Sequence, residues 1–253
     1  AARYSSQVEV APDGKRVAFV SNRDGVEAIY VAGVDGDVVR VTAGDDFRTI
    51  RPRWSADGRA IYAVRTPRGD PASVSTAVRI DSDSGIATPL DALGDHVHGV
   101  VPASDGTLVV GEQVGHAVRL SRVAPDGRNA ERLPLPLVAE YRVAGAYLVY
   151  SQPQLPGLTV CTWPSLACKP LDVPFDDATR QDWTLTPDAL WLIVASGDGA
   201  ALARIDPATG RQIARVALGG PASVTAVGAG PGGLPLYVAR EERTQVDLMI
   251  ARR

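Results

Sequence analysis

The sequence predicts an all-β chain folded as a β-propeller, with six blades of up to four antiparallel strands. Three observations lead there. Turn formers are abundant and evenly spread, with 25 Gly and 19 Pro over 253 residues. Apolar residues make up 45% of the chain but fall in short runs without helical spacing, which is the pattern of strands. One unit of strand, tight turn and strand recurs along the whole length, and a fixed period of this kind marks a repeat architecture.

The unit is clearest where Val8–Val10 leads through Ala11-Pro12-Asp13-Gly14 into Arg16–Val20, and where Arg53-Trp54 leads through Ser55-Ala56-Asp57-Gly58 into Ala60–Val64. Ser104-Asp105-Gly106 keeps the turn in the third copy. Ala144-Gly145, Pro187-Asp188 and Gly232-Gly233 stand in for it in the last three. Turn centres near 13, 57, 105, 144, 188 and 232 are separated by 44, 48, 39, 44 and 44 residues, which suits one four-stranded blade per copy. Asp-Gly between apolar strands is a strong hairpin signal, because Gly supplies the positive φ that the turn needs. The second half of each copy adds two more strands, as in Ala28–Val31 and Val38–Val41 of the first. The expected blades are 1–45, 46–92, 93–137, 138–175, 176–219 and 220–253 of a single domain. A β-sandwich is the alternative, but sandwiches rarely hold one turn motif at near-constant spacing. Val246–Arg253 reads as a third strand with no fourth behind it, so closure of the ring is left open.

The charge balance excludes some roles. A net charge of -3 offers no basic face for phosphates, so direct nucleic-acid binding is not expected. No apolar run approaches the roughly 20 residues that span a bilayer. The chain opens on Ala1 without an initiator Met. It is therefore expected to be a mature or excised piece, touching a membrane only through an upstream segment.

The stretches Ala11–Arg23 and Arg51–Gly58 resemble the TolB-type propeller repeat, a WD-like unit of periplasmic TolB proteins and of some peptidase propellers. The likeness is close over the first two blades, moderate over the fifth and faint elsewhere. Cys161-Thr162-Trp163-Pro164…Cys168 resembles a hairpin of sensor-like propellers in bacterial membrane-anchored transcriptional regulators, whose DNA-binding winged helix lies across the membrane. That likeness implies a periplasmic signal-input module. The extra domain of TolB and the hydrolase domain of prolyl peptidases are not found within these residues.

Few motifs suggest chemistry. Cys161 and Cys168 are the only cysteines. Facing positions on a hairpin can meet the distance a disulfide requires, and a disulfide implies an oxidising compartment such as the periplasm; two buried thiols are the alternative. Two sulfurs alone cannot complete a zinc site. His96 and His98 share a strand face by alternation, but no spacing demands a third ligand from Asp95 or His116, so no metal is expected. No serine sits in a nucleophile elbow. Asp45-Asp46 and Asp176-Asp177 read as solvated loop charge near Arg48, Arg51 and Arg180. Trp54 and Trp191 read as packing residues, whereas Trp163 and Trp183 are candidates for exposed anchors.

The reading is thus a non-catalytic sensor or binding propeller without a cofactor, with a TolB-like scaffold or a metal-dependent propeller hydrolase as alternatives. Its funnel mouth would take a protein, peptide or small molecule through Gln7, Arg51, His98, Arg142, Arg180 and Asp182, all polar and near the starts of innermost strands. Peptide mapping without reduction is expected to recover Cys161 linked to Cys168. Two free thiols there would remove the case for an oxidising compartment.

Overall fold

Each repeat forms one antiparallel sheet whose strands follow one another in chain order. The computed structural model describes residues 5–33, 35–42, 44, 46–69, 74–173, 183–196, 199–218, 223–230, 232, 236–242 and 245–251. Sheet 1 holds β1 (Ser5–Val10), β2 (Arg16–Ser21), β3 (Ala28–Gly33) and β4 (Val38–Arg40). Sheet 2 holds β5 (Phe47–Trp54), β6 (Ala60–Pro67), β7 (Thr76–Asp81) and β8 (Ala87–Pro89). Sheet 3 holds β9 (Val97–Pro102), β10 (Leu108–Val114), β11 (Ala117–Val123) and β12 (Glu131–Arg132). Sheet 4 holds β13 (Glu140–Ala144), β14 (Tyr147–Ser151), β15 (Leu158–Thr162) and β16 (Cys168–Leu171). Sheet 5 holds β17 (Trp183–Thr186), β18 (Ala189–Ser196), β19 (Gly199–Ile205) and β20 (Gln212–Ala217). Sheet 6 holds β21 (Ser223–Ala229), β22 (Leu236–Glu242) and β23 (Gln245–Ala251). The expected propeller of antiparallel sheets is the fold of the chain, with five four-stranded sheets and a three-stranded one among the described residues.

The first strands form the inner ring. β1 touches β5, β5 touches β9, and so on through β13 and β17 to β21, which returns to β1. The ring therefore closes by packing of the last sheet against the first. Gly228 makes the seam tight, because a Cβ there would stand 2.8 Å from Val8 Cγ1.

The turns obey local chemistry. Gly14 at φ 67° and Gly58 at φ 67° occupy the left-handed region that favours glycine. The Asp13 carboxylate accepts the Lys15 N–H at 2.8 Å, and Ala11 N–H bonds Arg16 O at 2.8 Å to close the loop. In sheet 5 the turn is cut to two residues between Thr186 and Ala189, with Thr186 Oγ1 accepting the Ala189 N–H at 3.2 Å.

In sheets 1 to 5 both faces of the central strands are covered, so these strands read as continuous apolar runs rather than as an alternation of apolar and polar. Val17 and Phe19 join one core with Val8 and Tyr30, while Ala18 and Val20 on the other face pack with Trp54 and Ile61 of sheet 2. Sheets 3 and 4 share a core of Val109, Leu120, Tyr141, Leu148 and Trp163, and sheets 4 and 5 share Val149, Val160, Trp183 and Leu192. Each fully buried Leu, Ile or Phe contributes about 1.5–3 kcal/mol. Trp163 and Trp183 are 7% and 1% exposed, so both serve packing and neither is an exposed anchor.

Space is tightest at Gly111, where a Cβ would lie 2.6 Å from Val118 Cγ1 and 2.9 Å from the Tyr141 ring. Gly111→Ala is expected to cost about 2–3 kcal/mol by overpacking. Gly106, at φ 80° with open space around it, should cost only about 1 kcal/mol on the same change, from backbone conformation alone. Urea unfolding of the two variants measures the contrast.

Candidate functional site in the central channel

The inner strands carry β-bulges, which place an extra residue on one strand and redirect its side chain. On β1, Gln7 and Val8 stand opposite one residue of β2, because Ser6 pairs Val20 and Glu9 pairs Ala18. On β5, Arg51 and Pro52 do the same between the pairs Ile50–Val64 and Arg53–Tyr62. On β9, His98 is the extra residue between Val97 and Gly99. Gln7 and Arg51 have φ of 52° and 59°, a conformation that costs a non-glycine residue about 1–3 kcal/mol and gathers at functional sites.

These bulges turn side chains toward the axis, where the Arg51 N–H donates to Gln7 Oε1 at 2.6 Å. Arg51 Nη1 reaches across to Glu140 on β13, at 3.2 Å from Oε1 and 3.3 Å from Oε2. Arg142 Nη1 approaches the same carboxylate at 3.4 Å and donates to Tyr141 O at 2.8 Å. Beside them, Arg53 Nη1 donates to Glu9 Oε2 at 3.1 Å and to Pro52 O at 2.9 Å. His98 Nδ1 meets Gln113 Oε1 at 2.8 Å. The Gln113 amide is oriented by its own donation to Gly115 O at 2.7 Å, so Nδ1 carries the proton. His98 Nε2 faces Glu140 Oε1 at 3.7 Å, beyond hydrogen-bond reach.

The electrostatics follow from burial. The Glu140 side chain is 8% exposed. Burial alone would raise its pKa, but His98, Arg51 and Arg142 together hold the carboxyl well below the usual range. Burial, reinforced by the like charge of Arg53, pushes Arg142 down to about 10, which still leaves it charged at neutral pH. Arg142 also lies over the Trp183 ring at 5.0 Å.

Two cavities flank this belt of charge. The narrow one, of about 170 Å³, is lined by Ser6, Gln7, Arg51, Arg53, Glu140 and Arg142, with Trp183 in its wall. The wide one, of about 390 Å³, lies among the strand-joining turns, at Ala11-Pro12, Ala103-Ser104, Gly145 and Pro187. Arg53 and Thr184 line both, so the charges stand between the two mouths. A larger open groove of about 700 Å³ runs along the outer strands of sheets 1 and 2. Its Arg16 is already committed to Asp13 and to Gly58 O, which ties those sheets together.

Of the residues nominated from sequence, Gln7, Arg51, His98 and Arg142 converge here. Arg180 and Asp182 lie outside the described residues, as do Asp45, Asp176 and Asp177. Arg48 pairs with Glu27 at 2.6 Å instead. Sequence reasoning missed Glu9, Arg53 and Glu140. A signal was present: each lies five residues before a turn glycine, at Gly14, Gly58 and Gly145. His96 is exposed and set apart from His98 by the bulge. Among the described residues, no group of three or more His, Cys, Asp or Glu is placed to hold a metal.

Cys161 faces Cys168 across β15 and β16, and the two form a disulfide. Among the described residues no helix is long and apolar enough to cross a membrane.

No family model matches the chain. Tricorn protease homolog 1 of Streptomyces coelicolor is 37% identical over 124 residues, covering 48% of this chain and 10% of that protein. Dipeptidyl aminopeptidase BIII of Pseudoxanthomonas mexicana is 29% identical over 250 residues, covering 88% of this chain and 35% of that protein. TolB from Acinetobacter baumannii matches in structure with a TM-score of 0.67, over 98% of this chain and 60% of that one, at 15% identity. The chain has a TolB-like β-propeller fold, and it spans about a third or less of the curated relatives it matches.

These relatives correct the functional expectation. A non-catalytic sensor acting as the input of a transcriptional regulator does not stand, because the matched proteins are named as peptidases. The physical reason is that the Cys161–Cys168 hairpin and the Asp-Gly turns report backbone geometry. They close loops at the sheets' turns and outer edge and carry no information about the chemistry of the channel.

Removing the Glu140 charge should leave Arg51 and Arg142 uncompensated, so Glu140→Gln is expected to lose about 3 kcal/mol at pH 7. Its folded pKa lies below the unfolded value. The stabilisation is therefore complete above about pH 5 and is lost progressively as pH falls below about 4.3. Urea unfolding at pH 7 and pH 3 should show the gap between wild type and variant narrowing at pH 3. An unchanged gap would mean that the charge of Glu140 is not the stabilising feature.

Proposed function

We propose that this chain is the propeller of a peptidase, and that its channel receives and orients peptide for hydrolysis. The observation that carries the reading is the match of 88% of the chain to a dipeptidyl aminopeptidase. The charged belt between two mouths supports it, since a peptide offers both charged ends and amide groups to such a surface. The nitrogens of His98 face Gln113 and Glu140 rather than a serine or thiol nucleophile. The propeller's part is therefore binding and selection, with bond cleavage assigned to the portion of the peptidase outside the propeller. Its partner is peptide, and the disulfide suits an oxidising compartment, the periplasm.

The test is retention. The 253-residue chain, immobilised, is exposed to a digest of denatured protein, and bound peptides are identified by mass spectrometry. Enrichment of peptides over a blank matrix is expected, with loss of enrichment when Arg51 and Glu140 are both replaced by alanine in a variant that still unfolds cooperatively. No enrichment by the wild-type chain would sink the reading.

A further inference from the structure

We infer that the narrow end of the channel binds a carboxylate group of the peptide between Arg53 and Arg142. The inference rests on the peptide reading above and names the group recognised. It begins with a charge count. Three guanidinium groups, of Arg51, Arg53 and Arg142, meet two carboxylates, of Glu9 and Glu140. Arg51 is consumed by Glu140, at 3.2 and 3.3 Å to its two oxygens. Among the described residues one positive charge is left over, and it resides on Arg53 and Arg142.

The donors are available. Among the described residues Arg53 uses only Nη1, toward Glu9 and Pro52 O. Arg142 likewise uses only Nη1, toward Glu140 and Tyr141 O. Their Nε and Nη2 groups make no hydrogen bond there, and both side chains line the narrow cavity. Guanidinium donors left open in a partly desolvated site favour a bidentate oxyanion. Burial and then the like charge of Arg53 both lower Arg142, so the two guanidinium groups disfavour each other. An anion between them relieves that repulsion.

Size and rigidity suit this ligand. A cavity of about 170 Å³ has room for a carboxylate group beside both guanidinium groups. Arg142 is held over Trp183 and Arg53 by its bond to Glu9, so little side-chain freedom remains to be lost on binding. An amino terminus is disfavoured, because Arg51 and Arg142 already occupy Glu140. The carboxylate has two sources, the C-terminus of a peptide or an Asp or Glu side chain.

Calorimetry with three unlabelled ten-residue peptides of one neutral sequence separates them. One has a free C-terminus, one is amidated with an internal Glu, and one is amidated without any acid. At least one carboxylate peptide is expected to bind about tenfold tighter than the acid-free peptide, and which one does so identifies the source. Arg142→Gln should erase the difference. Glu9→Gln, which frees Arg53, should tighten carboxylate binding about threefold, a gain that misfolding cannot produce. Equal binding of all three peptides overturns the carboxylate site and leaves the peptide reading intact. If no peptide binds, the peptide reading fails, and titration with acetate then decides the site. Shifts in the Nε–H resonances of Arg53 and Arg142 would support it, and unmoved resonances would overturn it.

Discussion

A carboxylate buried at the centre of a ring needs polar partners around it, and Glu140 obtains them from three different sheets. Arg51 comes from sheet 2, His98 from sheet 3 and Arg142 from its own strand. Without them, ionised Glu140 would face a desolvation cost of several kcal/mol. With them it ties sheets 2, 3 and 4 together from the inside. The arrangement depends on backbone that a regular strand does not provide. The left-handed conformations at Gln7 and Arg51 are costs borne to aim side chains across the channel, and the bond from Arg51 N–H to Gln7 Oε1 links the two strained positions.

The remainder of the molecule makes this centre possible by dividing its hydrophobic core into separate layers between sheets. Each layer is filled from two faces, and glycine appears where a side chain would force the layers apart. Gly145 is one such place, since a Cβ there would lie 2.9 Å from the Pro187 backbone. Arginines span the joints as well. Arg16 covers Trp54 while bonding Gly58 O, and Arg122 bonds Asp105 while lying over Trp163. These contacts join neighbours in the ring, so the channel is defined by the packing around it.

Much of the fold was legible because turn chemistry is local. Asp13-Gly14 and Asp57-Gly58 fix a conformation that their own atoms dictate, and their spacing gives the period. The bulges were not legible. A bulge is a fact of register between two strands, and nothing in Ser6–Glu9 alone says that two residues oppose one. Gln7, Arg51, His98 and Arg142 were found as polar residues near strand starts, which is a statement of position. Glu140 escaped because a lone Glu beside Ala139 and Tyr141 looks like an edge residue until its partners from other sheets are seen. Function was the least legible, since a repeat built from turns says how the ring is made and nothing of what enters it.

The outer rim has a consequence for self-association. Three of the six outermost strands are short, with β4 and β8 at three residues and β12 at two, and a short edge offers little ladder for another chain to join, whereas β20 and β23 run to six and seven residues. β16 has four residues, three of them exposed, so burial alone gives it little hold. The Cys161–Cys168 bond pins it to β15 at the end nearest the turn. In a reducing environment that pin is absent, and β16 is then held to β15 by their ladder and by the buried Leu171 alone.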